Sequence, residues 1–164
     1  MTNNRAYGIA AILAVAGLVT VSSAVSPPAR RQAKGFLAAA RSIKCTFPVM
    51  AIGTWGKDGP EAKIKPPTPT LDLQFNAINA DEGSAEMKSQ YGGKFDIVVR
   101  YSEGYLHFIQ SFLDGPLYTT TIMEKKTAGG KLKAMHSRHE VTDISLPGFT
   151  SSPEQYYGEC EIVR

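Results

Sequence analysis

Residues 71–126 consist of short runs in which apolar and polar side chains alternate, each run bounded by a glycine-bearing turn, and that pattern admits little but a sheet. In "LDLQFNAIN", Leu71, Leu73, Phe75 and Ala77 alternate with Asp72, Gln74 and Asn76. "SAEMKSQ" follows "DEG", "KFDIVVRY" follows "YGG", "YLHFIQSFL" follows "SEG" and "LYTTTIMEKK" follows "DGP". With "CTFPVMAIGTW" before them, and "KLKAMHSRHEV" and "QYYGECEIVR" after, there are eight candidate strands. Turns this short join neighbours as antiparallel hairpins, so the expected fold is all-β, an antiparallel meander. Closure into a complete or nearly complete barrel would remove the exposed edges, and a two-sheet sandwich is the alternative. "KDGPEAKIKPPTPT", after the first strand, reads as a proline-rich connection.

Two cysteines, Cys45 and Cys160, stand at the two ends of this β region. The segment before it explains why they should be oxidised. "MTNNRAYGIAAILAVAGLVTVSSAVS" has one early cation, Arg5, an apolar run from about Gly8 to Val21, and small residues ending at Ala24, the three regions of a secretory signal peptide. Residues 1–24 are therefore expected to be a signal cut before Val25 or, alternatively, a retained anchor in an inner membrane. Either places the remainder outside the cytoplasm, periplasmic or secreted, where an even cysteine count reads as one disulfide. Residues 25–44 form a basic stretch with a short helix expected over Ala29 to Ile43, and residues 45–164 form the β domain. That helix could rest on anionic lipid or pack on the domain, and it would bring a membrane into play only if the first segment were retained.

Charge is unevenly placed. Of 18 Lys and Arg, six precede residue 45, whereas all 15 Asp and Glu follow it, which leaves the body at 12 − 15 = −3. A nucleic-acid partner is excluded because it would need a basic face on the folded body.

"KAMHSRHEV" places two histidines three apart, a spacing that on a helix would suggest a metal. On a strand, His136 and His139 face opposite ways, so no shared metal is expected. Ser137 faces away from His136, and no Gly-x-Ser-x-Gly elbow or phosphate-binding glycine loop occurs, so no catalytic residue and no cofactor are assigned.

Taking Asp114-Gly115 and residues 127–130 as hairpin loops, Phe108 is expected opposite Thr121, Thr121 opposite His136, and Thr119 opposite Arg138. The apolar face then carries Leu106, Phe108, Phe112, Leu117, Met123, Leu132 and Ala134, together with Gln110, Thr119, Thr121, His136 and Arg138. An apolar wall bearing a few convergent polar groups suits a small-molecule site. Tyr156 and Tyr157 are expected to cover the core beside the bridge, and Trp55 to pack near the first turn.

With "KCTF" at the start, "TTTI" and "HSRH" in the middle and "YYGEC" at the end, residues 44–162 resemble a group of small exported bacterial β-rich proteins, a resemblance that brings no activity and no catalytic residue with it. In size and strand count the body is similar to lipocalin-like barrels. It departs from them in that Gly53 and Trp55, which have that family's Gly-x-Trp spacing, stand at the far end of the first strand. The expected function is an exported binding or envelope-structural module, its partner a small molecule or an envelope protein. A hydrolase or isomerase using His136 or His139 as general base is one alternative, and a membrane-anchored accessory subunit the other.

Overall fold

The computed structural model describes residues 35–90, 92–113, 115–140 and 152–163. The signal expected over 1–24 and the first part of the basic stretch lie outside them. Among the described residues no helix is long and apolar enough to cross a membrane.

Among the described residues there are nine strands: β1 (Ile43–Gly56), β2 (Gly59–Lys65), β3 (Leu71–Asn79), β4 (Ser84–Ser89), β5 (Lys94–Ser102), β6 (Tyr105–Ser111), β7 (Leu117–Lys126), β8 (Leu132–His139) and β9 (Glu154–Ile162). They run β2-β1-β3-β4-β5-β6-β7-β8-β9, and β9 pairs back onto β1. Eight strands thus close into an antiparallel barrel, and β2 is an extra strand on the far half of β1. Closure excludes the sandwich.

The bridge lies in the seam. Cys45 and Cys160 face each other across β1 and β9, Cα atoms 4.1 Å apart, and are disulfide-bonded. β9 approaches β1 here where the β1 register shifts between Thr46 and Val49. That bulge accommodates Pro48, which has no N–H to give to a ladder.

The interior is filled by alternate residues, as the period-two reading requires. Phe47, Phe75 and Phe108 are fully buried with Ile43, Ile78, Leu106 and Ile122. Phe75 and Phe108 stack with centroids 3.9 Å apart. The start of β1 and the β5–β6 turn mark one end of the barrel, and a single 3-10 turn, Phe36–Ala39, covers it. Leu37, 0% exposed, inserts there. Its N–H donates to Glu124 Oε1 (2.9 Å), and Tyr101 Oη accepts from Gly35 N–H at 2.9 Å and from Gly104 N–H at 3.1 Å.

The helix expected over Ala29 to Ile43 is corrected accordingly. Residues 29–34 lie outside the described set, only Phe36–Ala39 is helical, and Ile43 already belongs to β1. Packing of Leu37 and Ile43 into the barrel outweighs the helix preference of the alanines.

The proline-rich connection is corrected too, because residues 59–65 form β2. Six of its seven residues are exposed, and although Pro60, Ala62 and Ile64 alternate with Glu61, Lys63 and Lys65, the prolines within and after the run mask it as a connection. Trp55, expected near the first turn, is 65% exposed on the hairpin made by β1 and β2. Of the paired tyrosines, Tyr156 is buried and Tyr157 is 42% exposed.

A second register shift, in β3 between Asn76 and Asn79, holds exposed Ala77 at φ +48°. A Cβ in that conformation costs about 1–2 kcal/mol. Ala77→Gly is therefore expected to raise stability by up to about 1 kcal/mol, after the larger unfolded-state entropy of glycine is subtracted. A urea midpoint at or below that of the parent protein would contradict this.

Candidate functional site

Three consecutive rows cross the inner wall of β6 to β9. The first contains Gln110, Tyr118, Arg138 and Glu154, and the second Phe108, Thr120, His136 and Tyr156. The third is Leu106, Ile122, Ala134 and Gly158, wholly apolar. Polar groups therefore gather toward the end of the barrel away from the 3-10 turn.

This arrangement corrects the sequence-derived facing of two residues. His136, Arg138 and Gln110 face inward, as expected, and all are buried. Thr119 and Thr121 are on the outer face. Thr121 Oγ1 lies 3.0 Å from His107 Nδ1 out there, while Tyr118 and Thr120 take the inner positions. Phe108 is opposite Thr120, Thr120 opposite His136, and Tyr118 opposite Arg138. Leu117 and Met123 turn outward with the two threonines. The cause is loop length. Phe112 N–H donates to Pro116 O and Gly115 N–H to Phe112 O, with Gly115 at φ +103°, so the β6–β7 loop holds three residues rather than two. One added residue reverses the side chains of β7, and the register shift between Ile122 and Lys126 returns β8 to its expected facing.

His136 is 2% exposed and ringed by Phe47, Tyr118 and Tyr156, with centroids 5.9, 6.1 and 5.7 Å away. Arg138 Nε–H donates to His136 Nε2 at 3.3 Å. Because Nε2 accepts, the proton of the neutral ring sits on Nδ1, which donates to Thr120 Oγ1 at 2.8 Å. Burial, with the Arg138 charge added, lowers the imidazole pKa to about 3 from 6.5. Arg138 itself lies between two rings, its Cζ 5.2 Å from the centre of Tyr118 and 5.3 Å from that of Tyr156. Planar guanidinium faces suit this stacking. Tyr118 donates its hydroxyl proton to Glu140, and Tyr156 donates to Glu154. Burial, followed by the hydrogen bond to Glu140, pushes the Tyr118 hydroxyl pKa above its ordinary 10, so it remains a donor.

A histidine held neutral gives a signed prediction. Between pH 6.5 and about 3 the unfolded chain holds a proton at residue 136 that the folded chain does not, so acidification through that window favours unfolding. From pH 7 to pH 5 the cost is about 2 kcal/mol, and above pH 7 the residue contributes almost no pH dependence. Urea titrations of the parent protein and His136→Asn should differ by this amount in their loss over that range. Arg138, Glu140 and Glu154 are common to both proteins and cancel. Equal losses would mean that His136 is solvated.

The polar rows open into a recess of about 280 Å³. Arg138, Glu154 and Tyr156 form its inner side, Met50 and Leu71 contribute apolar surface, and Lys65 with residues 66–69 makes the outer wall. Sequence reasoning missed Tyr118, Thr120, Glu154 and the proline wall. A three-residue reading of "LDG" in the β6–β7 turn would have recovered the first two. His139 is exposed on the outer side of β8, opposite Leu117, and among the described residues no cluster of three potential metal ligands occurs. Comparison with protein-family models, with curated proteins and with solved structures finds no match for the chain.

Proposed function

We propose that this is an exported binding protein that takes a small polar molecule into the recess at the open end of its barrel. The observation that carries the reading is the asymmetry of the interior: one end is apolar and covered by Leu37, while the other has a buried polar layer fronting a recess of about 280 Å³. That volume is close to the lower limit of about 300 Å³ for small-molecule clefts. Arg138 and Glu154 supply opposite charges at its inner side, Tyr156 an aromatic edge, and the prolines a stiff apolar wall. Gln110 Oε1, in the same row as Arg138 but behind the residues that line the recess, is buried without a hydrogen-bond partner among the described residues. Export is supported by the buried Cys45–Cys160 bridge, which suits an oxidising compartment.

A general base needs a pKa near the working pH and access to its substrate. His136 has neither, since its ring is buried and both nitrogens are engaged. His139 is exposed at the end of β8.

Native mass spectrometry of protein isolated without unfolding from the cells that make it is the direct test. A bound small molecule is expected, and Tyr156→Ala and Arg138→Met should lose it. Ligand-free protein that also shows no thermal shift with millimolar polar fragments would refute the reading.

A further inference from the structure

The hairpin of β1 and β2 has an open edge. Among the described residues β2 pairs with β1 alone, and six of its seven residues are exposed. The outward face of the hairpin carries Trp55, 65% exposed, and Ile64, 79% exposed, separated by Pro60 and Ala62. Gly56 pairs with Gly59 across a two-residue loop, so they form a hydrogen-bonded pair and the phase of the ladder follows. Glu61, Lys63 and Lys65 direct their backbone groups toward β1. Pro60, Ala62 and Ile64 direct theirs to the open edge.

We infer that β2 pairs with β2 of a second copy, antiparallel, about a two-fold axis at Ala62. The argument is charge complementarity in a register already limited by the backbone. Only residues 60, 62 and 64 offer outward groups, so the possible registers differ in steps of two. Centring on Ala62 places Glu61 opposite Lys63 of the second copy, and Lys63 opposite its Glu61. Moving the axis to residue 61 sets Glu61 against Glu61, and moving it to residue 63 sets Lys63 against Lys63. Like charges directly opposite one another are destabilising. Within one chain these two side chains already lie together, with Lys63 Nζ 3.4 Å from Glu61 Oε2, so both charges stand on one face of the edge strand.

The apolar face agrees with the same register. Trp55 pairs with Pro60, and Ala51 with Ile64. About the Ala62 axis, Pro60 stands beside Ile64 of the second copy, giving a row Trp55, Pro60, Ile64, Ala51 that crosses both chains. The two most exposed apolar side chains of the hairpin are thereby brought alongside apolar neighbours. Edge lysines and a proline ordinarily deter strand addition. Here the lysine meets a carboxylate, and Pro60 forfeits one donor only at the end of the ladder. Contacts made through one patch on both copies close as a dimer and do not propagate.

The test uses protein expressed from the full chain and purified as the cell delivers it. Sedimentation velocity from low micromolar to submillimolar concentration should show a monomer–dimer equilibrium. Glu61→Lys or Lys63→Glu alone should weaken the dimer by about tenfold or more, since each variant opposes like charges at both pairs. The double variant Glu61→Lys/Lys63→Glu should restore it. An equimolar mixture of the two single variants should form a heterodimer tighter than either forms with itself. Circular dichroism confirms that each variant is folded, which these exposed positions allow. A monomer at every concentration, or a dimer indifferent to the single reversals, would overturn the inference.

Discussion

Gly158→Ala is expected to destabilise the protein by about 3 kcal/mol, the upper part of the range for overpacking a tight interior. A Cβ at residue 158 would lie 2.1 Å from the carbonyl oxygen of Thr46 and 2.8 Å from Cα of Phe47. Both are backbone atoms of the opposing strand, so no side-chain rotation relieves the contact. The glycine faces the interior between Tyr156 and Cys160, where the β1 bulge presses inward. Relief requires the seam to widen, and that would lift Phe47, fully buried, out of its packing. The urea midpoint should fall with the denaturant slope unchanged. Tyr157→Ala, on the outer face of the same strand, should cost much less. A loss below about 1 kcal/mol for Gly158→Ala would show that β1 and β9 slide apart freely, against the tight fit described here.

Removing the bridge is expected to have the larger effect. Cys45 and Cys160 are separated by 115 residues, and cross-linking a loop of about 100 residues is worth about 4.7 kcal/mol in the chain-entropy account. Cys45→Ala/Cys160→Ala should lose most of that, measured by urea denaturation under oxidising conditions. Both cysteines are 1% exposed, so a reductant meets the bridge only when the seam opens. Bridge loss in reductant should therefore follow the unfolding rate of the native protein. Rapid reduction of fully folded protein would contradict a closed seam.

Much of the architecture was legible because half-buried strands advertise themselves. β3, from Leu71 to Asn79, and β7, from Leu117 to Lys126, coincide with their sequence runs, since each is bounded by turn residues and buries one face. β2 escaped the same criterion because the prolines in and after it, Pro60 and residues 66–69, read as a connection, although Ala62 and Ile64 alternate with Glu61, Lys63 and Lys65. The site was legible on β6 and β8, whose inward residues Leu106, Phe108 and Gln110, and Ala134, His136 and Arg138, differ plainly from their neighbours. On β7 it was not. Leu117, Thr119, Thr121 and Met123 are as apolar as Tyr118, Thr120 and Ile122, so composition leaves both faces eligible. Only the length of the Phe112-to-Pro116 turn decides between them, and the left-handed Gly115 adds the residue that reverses the strand.

Because β1 is bonded to β3 on one edge and to β9 on the other, the first strand of the barrel in chain order waits for the last. Every other barrel pair joins strands adjacent in the barrel's chain order, and each closes over a much shorter stretch of chain than the seam does. The seam alone spans the whole body, and it bears the chain-length cost of closure in a single late step. During synthesis and any passage of the chain across a membrane, β1 and β8 would each present an open edge until residues 154–162 arrive. Joining of Cys45 to Cys160, with an external disulfide or other two-electron oxidant taking up the two electrons, then records the completed barrel, since the two sulfurs meet only when that final strand has docked.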